Sequence, residues 1–435
     1  SGDIEPATGR TQQGRCRNDW GDWFGCTNGS LLLHYTVADH YHRRNELVPS
    51  PPTTIAIATA RDASKLIPNG ELVRFELSGP PGKPTSACGL DIYRDVLLGE
   101  QYYGNAFTCE PVHQLVHRLT LAPNGVSFIG RRPSNEQDRE FLTSTDRWFR
   151  PVQVRTGPDG AIWVVDMYRY VIEHRRWIPQ STLADLDVFA GQGRGRIYRL
   201  LPRDTSEAPR KWPRLDQMSD KALVAQLDRH NGTVRDMAQQ LLVSRGKLAA
   251  KAALKQLVRS SKLPQGQLHA LCTLDGMGAL DADDILKSLH AEHPEVLRHA
   301  IRLSEKMLDD PRLLTAVREL SAHDNPRVRR QVAYSLGQSG SRDAAEALAS
   351  IAASDGDDVY LRAAVLSSVN RTNVAAVLAA YTATKKKQGD LFPQLLSLAA
   401  RLGDDRGVEA AFRAVLTRAA LNDDTRFTDL ALLLN

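Results

Sequence analysis

The chain has 435 residues, 42% of them hydrophobic and 25% charged, an ordinary globular balance long enough for two or three domains. Lys+Arg is 56 and Asp+Glu is 51, a net charge of +5, so no strong field draws the chain to nucleic acid or to an anionic membrane. No stretch of about 18 apolar residues occurs, which excludes a membrane-spanning helix.

The opening residues, SGDIEPATGR, have neither the basic start nor the apolar centre of a signal peptide. They read as a turn between strands, and the chain as part of a longer protein. Residues 1–203 then punctuate as all-β structure. SLLLHYTV, TTIAIATA, NAFTCEPV, LVHRLTLA, VSFIGRR, AIWVVDM and GRIYRLL are short runs rich in Val, Ile, Tyr, Phe and Trp. Turn signals separate them, among them Pro123-Asn124-Gly125 and Pro158-Asp159-Gly160. A meander of this kind must close or cover its edges, and several blade-like groups predict a partial β-propeller.

Four of the five cysteines lie in this half. Cys16 and Cys26 flank a turn-like NDWGDW, and Cys88 and Cys109 flank a longer strand-turn segment. Either pair can bridge adjacent strands, which implies an oxidising compartment, and free buried thiols are the other reading. Cys272, in the helix-like LHALCTL, reads as a buried thiol. No C-x-x-C occurs, so the chain carries neither covalent haem c nor a zinc ribbon.

Residues 204–435 change to a helical period from about Asp216. NGTVRDMAQQLL, HPEVLRHAIRL, DNPRVRRQVAYSLG and GDDVYLRAAVLSSV share a polar turn, then Val, then Arg, then Ala-rich apolar positions. Arg298, Arg329 and Arg362 recur about every 32 residues, and LPQGQLHALCTL fills the double gap back to Arg235. Asp324 or Asn325 can cap a helix whose first turn takes Pro326. One such unit cannot bury its apolar face alone, so an all-α HEAT-like solenoid is predicted. Lys385-Lys386-Lys387 reads as a solvated helix end.

The first half goes beyond fold class. GRTQQGRCRNDWGDWFGCTN, TSACGLDIYR, GNAFTCEPVHQLVHRL, STDRWFRPVQVRTGPDGAIWVVDMYRYVIEHRRWIP and GRGRIYRLLPRD occur in order. Together they resemble the PVC-type haem-binding proteins, also labelled membrane-bound dehydrogenase-like. That resemblance implies a periplasmic or extracellular protein with a propeller related to quinone-dependent sugar dehydrogenases, then HEAT-type repeats, then a cytochrome c domain. It allows pyrroloquinoline quinone and calcium as cofactors, with haem c only in a domain this chain does not carry. The first blades and the C-x-x-C-H domain are missing from the residues present.

Candidate chemistry follows from inner-strand positions. RNDW, TSAC and WFRP would reach a propeller axis, where Arg17, Asp19 and Arg150 could hold an anionic cofactor or a sugar. Trp20, Trp23 and Trp148 could stack on sugar faces, or fill the interblade core. His113 and His117, four apart in EPVHQLVHRL, would sit about 13 Å apart on a strand, too far for one metal ion. His113 suits a general base acting on an alcohol. Asp159-Gly160 makes a hairpin turn. Asp166, at the strand end, and the inserted loop with Arg169, Glu173 and His174 are that hairpin's functional margin. Arg169 and Glu173 are spaced for one helical face.

Two functions follow as expectations. One is a dehydrogenase-like oxidoreductase acting on sugars or alcohols and passing electrons to haem. The other is a non-catalytic binding scaffold for polysaccharide or a protein partner, the latter on the concave face of the solenoid. No G-x-S-x-G, Walker loop, Rossmann fingerprint or H-E-x-x-H occurs.

Overall fold

The computed structural model describes residues 9–70, 72, 81–203, 211–246, 248–384, 391–403 and 405–419. The first eight residues and the Lys385-Lys386-Lys387 cluster lie outside them. The chain divides into two compact units: one holds Thr8–Thr36 and Thr54–Arg245, the other Val37–Thr53 and the chain from Gly246 onward.

The first unit carries three antiparallel sheets in chain order. β1 (Cys16–Arg17), β2 (Trp23–Thr27), β3 (Ser30–Tyr35) and β4 (Thr54–Ala56) form the first. The short helix α1 (Asp39–His42) lies between β3 and β4, and α2 (Arg61–Ser64) follows β4. The second sheet runs β5 (Cys88–Ile92), β6 (Ala106–Glu110), β7 (Leu115–Asn124) and β8 (Ser127–Arg131), with β9 (Leu142–Thr143) against β7. The third is β10 (Pro151–Thr156), β11 (Ile162–Asp166) and β12 (Arg196–Leu200), and α3 (Gln180–Leu183) sits in the insert between its last two strands.

Period-2 alternation supplies the cores. Phe24, Leu32 and Ile57 from the first sheet meet Leu90, Ile92, Leu119 and Phe128 from the second. Tyr93, Phe107 and Val116 of the second meet Val154, Ile162 and Val164 of the third. The first strands of consecutive sheets lie side by side, β1 by β5 and β5 by β10. Gly89 makes the second approach feasible: its φ is +60°, and a Cβ there would strike the Val152 carbonyl.

The helices α4 (Asp220–Gln226) and α5 (Gly232–Arg245) also belong to this unit. The strand-to-helix change falls after β12, as the sequence suggests, yet the compact unit runs on past 203 to Arg245. The reason is the first turn of α5. Asn231 accepts from the Val234 amide and donates to Asp95 at 2.6 Å and to the Gly157 carbonyl at 2.8 Å. Thr233 donates to the Thr156 carbonyl.

The second unit stacks helices in two layers. α7 (Pro264–Gly276), α9 (Pro294–Ser304), α11 (Pro326–Leu336) and α13 (Val359–Ser368) form one. α6 (Lys251–Ser260), α8 (Ala282–Ser288), α10 (Pro311–Glu319), α12 (Arg342–Asp355), α14 (Val374–Thr382) and α16 (Asp405–Ala419) form the other, with α15 (Leu391–Leu402) packed on α14 and α16. Ala333 and Ala364 are fully buried where neighbouring helices meet. The recurring cap and arginine have a shared job. His293, Asn325 and Asp358 cap α9, α11 and α13 by accepting amides of the first turn. Arg329 and Arg362 then donate back to carbonyls six residues upstream, at His323 and Gly356. In the first unit Arg235 does the same to Arg229. Arg298 pairs instead with Glu295 at 2.8 Å.

Candidate binding site at the strand ends of the third sheet

Asp166 ends β11. Pro151 of β10 and Arg196 of β12 stand opposite it in register, so three strand ends converge. Asp166 Oδ1 accepts the Arg150 and Tyr168 amides, each at 2.8 Å. Its Oδ2 is buried and has no hydrogen-bond partner. Burial pushes the Asp166 carboxyl up from its ordinary value, against those amides and the Arg196 charge. Tyr168 sits at φ +50°, a left-handed conformation that a bulky side chain adopts at a cost. Its ring lies 5.8 Å from that of Trp148, which is 5.7 Å from Tyr170. The Arg196 guanidinium stands 3.5 Å over the Tyr168 ring. Half-buried rings thus stand beside a guanidinium at the strand ends.

Arg150 and Arg169 join this cluster in supporting roles, which corrects the expectation that Arg150 holds an anion. The Arg150 side chain is fully buried and donates to the carbonyls of Arg169, Pro111 and Tyr170, each at 2.9 Å. Burial lowers its pKa, opposed by Glu173, Glu110 and Asp166. Arg169 donates to the Phe189 carbonyl. Residues 167–174 form no helix, so the spacing of Arg169 and Glu173 places them on no helical face.

His113 is close by in sequence to the Arg150 acceptors but is sealed. It lies in the β6–β7 turn rather than on a strand. Nδ1 bonds Glu110 at 2.8 Å, and Nε2 accepts the Gly82 amide at 3.1 Å. With both nitrogens engaged and no exposure, the ring is closed to a substrate, so the general-base expectation fails on access. Glu110 also accepts the Thr85 and Ser86 amides; burial pushes its carboxyl up, and His113 and those amides more than offset this and hold it down. His117 goes to a different carboxylate, Glu140, at 2.7 Å, which Arg132 shares at 2.9 Å.

Arg17 and Asp19 come together elsewhere. Asp19 accepts from Arg94 at 2.5 Å, from Tyr103 at 2.5 Å and from Arg235. Arg94 forks onto Asp236, which Arg17 also meets at 3.2 Å. Burial alone would raise the Asp19 carboxyl, but the Arg94 and Arg235 charges hold it well below the usual range. These charges fasten α5 to the sheets and leave Asp19 no oxygen for a ligand. Trp20 is half-buried beside them, and Trp23 is exposed with Arg15 over its ring.

Cys88 and Cys109 are register partners across β5 and β6, and Cys16 and Cys26 share the core between the first two sheets. All five cysteines are free thiols in the structure. Burial pushes Cys88 up to about 12 and Cys26 up to about 11. Among the described residues, no three His, Cys, Asp or Glu side chains converge as a metal site.

With this geometry in place, the comparisons add two findings. Residues 1–204 match the profile of a domain of unknown function, DUF7133, and residues 282–368 match HEAT repeats. No curated protein matches the chain. The matches follow the order of the chain's elements, β sheets first and HEAT repeats later. Sequence reasoning missed Tyr168, Tyr170 and Arg196. The alternating aromatics of Tyr168-Arg-Tyr170 next to Asp166 were the available signal.

Proposed function

We propose that the chain is the propeller-and-solenoid part of a larger periplasmic protein of the PVC-type haem-binding kind. In this reading its β unit binds carbohydrate around Trp148, Tyr168 and Arg196 without transforming it. The three sheets are then consecutive blades, each a meander beginning beside its neighbour's first strand. One observation carries the binding role: the half-buried Trp148 ring lies 5.8 Å from Tyr168 and 5.7 Å from Tyr170, with the Arg196 guanidinium over the Tyr168 ring. The solenoid would place a haem domain or a protein partner.

Titration with hexasaccharides of glucose, mannose and xylose tests the reading. Trp148→Ala should weaken the binding of at least one of them ten-fold or more while Trp23→Ala leaves it unchanged. Absence of binding across the panel refutes it.

A dehydrogenase-like reading would use Asp166 as a base acting on a sugar or alcohol hydroxyl; burial raises its carboxyl, but the same burial covers the oxygen that would take the proton. The described residues do not fit quinone or calcium: Arg150 is spent on carbonyls and no metal-binding trio converges. No oxidative step is therefore assigned to them. Dye reduction with added quinone and calcium over a sugar and alcohol panel would revive this reading.

A further inference from the structure

The segment Val37–Thr53 departs between β3 and β4 and folds with the helical unit. It lies across the C-terminal ends of α11 and α13, held by four of its own side chains, while Tyr360 and Arg401 donate to its Pro52 and Leu47 carbonyls. The Tyr41 ring stacks on Tyr334 with centroids 4.4 Å apart and planes within 6°. Its hydroxyl donates to Glu305, and Gln331 donates to that hydroxyl at 2.9 Å. His42 Nε2 bonds the Tyr334 hydroxyl at 3.0 Å. Arg44 donates to the Tyr334 carbonyl and to Ser368 Oγ, both at 2.8 Å, and Asn45 donates to the Val369 carbonyl at 2.8 Å.

The geometry has a simple cause. The last turns of α11 and α13 leave carbonyls without helical partners, and the negative ends of both helices attract a cation. Arg44 and Asn45 supply the missing donors. Gly337 keeps the approach open, because a Cβ there would come within 2.7 Å of Ser368 and 2.9 Å of Arg44. These are the features of a peptide seated in a groove, except that the peptide belongs to the same chain.

We propose that the face formed by Glu305, Gln331, Tyr334 and Ser368 is a peptide-recognition site filled in cis by this strap. The partner it fits presents an aromatic hydroxyl followed three and four residues later by Arg and Asn. The strap is built to detach. It has one helical turn, α1, and prolines at 49, 51 and 52, which remove backbone donors. A segment fastened by a few side chains opens well below the free energy of global unfolding. A tethered ligand acts at an effective concentration of about millimolar, so a partner gains the site when the strap is disarmed or opened. This inference does not depend on the carbohydrate reading.

The test uses a fluorescein-labelled peptide of residues 37–53 and the full chain. A variant carrying Tyr41→Ala, Arg44→Ala and Asn45→Ala should bind the peptide at least ten-fold more tightly than the wild type does. A peptide bearing Tyr41→Ala should lose at least ten-fold. A folded variant that does not bind the peptide overturns the proposal. Hydrogen exchange on the wild-type chain decides the case if the variant fails to fold. Strap amides exchanging at least ten-fold faster than those of α11 support a detachable strap; equal protection overturns it.

Discussion

Arg150 sends its buried guanidinium to the carbonyls of Pro111, Arg169 and Tyr170, so the β6–β7 turn and the insert both depend on one side chain. Arg150→Leu strands those acceptors in a dry site and should cost about 3 kcal/mol, or about 6–12 °C in Tm, read by thermal unfolding. A shift under about 2 °C would show that water replaces it. The thiols give a second prediction. Cys16, Cys26, Cys88 and Cys109 are buried, and burial raises every one of them, so the reactive thiolate is scarce and covered. At pH 8 the folded, reduced protein should leave these four unmodified by iodoacetamide, whereas denatured protein should react at all five. Fewer than five after denaturation without reductant would reveal a disulfide, Cys88–Cys109 being the register pair. The sequence shows residue types but not their burial. His113 and Arg150 attract notice as chemistry-bearing residues, and both turn out to be spent inside the fold, His113 on Glu110 and the Gly82 amide and Arg150 on three carbonyls. Asp166 drew notice as a carboxylate at a strand end, and its side chain accepts the Arg150 and Tyr168 amides there.

Within the elements, Arg329 and Arg362 of the helical repeat tie the starts of α11 and α13 to the turns before them. Arg329 also forks onto Asp355 at 2.8 and 2.6 Å. Arg329→Ala should therefore cost about 2–3 kcal/mol, whereas Arg342→Ala, a surface i,i+4 pair, should stay within about 0.5 kcal/mol, both read by denaturant midpoint. Equal effects would contradict the assigned role. The strap carries a pH dependence. Docked His42 is held down to about 4, burial acting first and the Arg330 and Arg44 charges adding to it against Asp39; His40 and Tyr334 also face it. Released, it returns to about 6.5. The free strap thus takes a proton that the docked strap refuses. Docking is at full strength above about pH 6.5 and weakens as the pH falls from there toward 4. Hydrogen exchange of residues 37–53, corrected for intrinsic rates, should show more opening at pH 5.0 than at 7.5, and His42→Gln should flatten the difference. The repeat was legible because cap, Val and Arg return at a fixed interval. The strap was not, because TVADHYHRRNELVPSPP has no period and His42 meets Tyr334 across 292 residues.

At the scale of the whole molecule, the sequence boundary at 203 and the folding boundary differ in both directions. The sheets retain α4 and α5, and the helical unit draws in Val37–Thr53. A fragment of residues 204–435 would therefore lose the strap and expose the carbonyl ends of α11 and α13. It should unfold less cooperatively than the helical unit does in the full chain, and a synthetic 37–53 peptide should restore part of the loss. Composition and periodicity revealed the class of each half because burial patterns are local. They could not reveal which segments pack with which half, since that depends on side-chain partners distant in sequence. The third sheet carries the functional claim, and crystals of the full chain soaked with a bound hexasaccharide test it most directly. The account predicts a sugar ring against Trp148 and Tyr168 with a hydroxyl bonded to Arg196. Sugar ordered elsewhere on the β unit, with those rings bare, would contradict it.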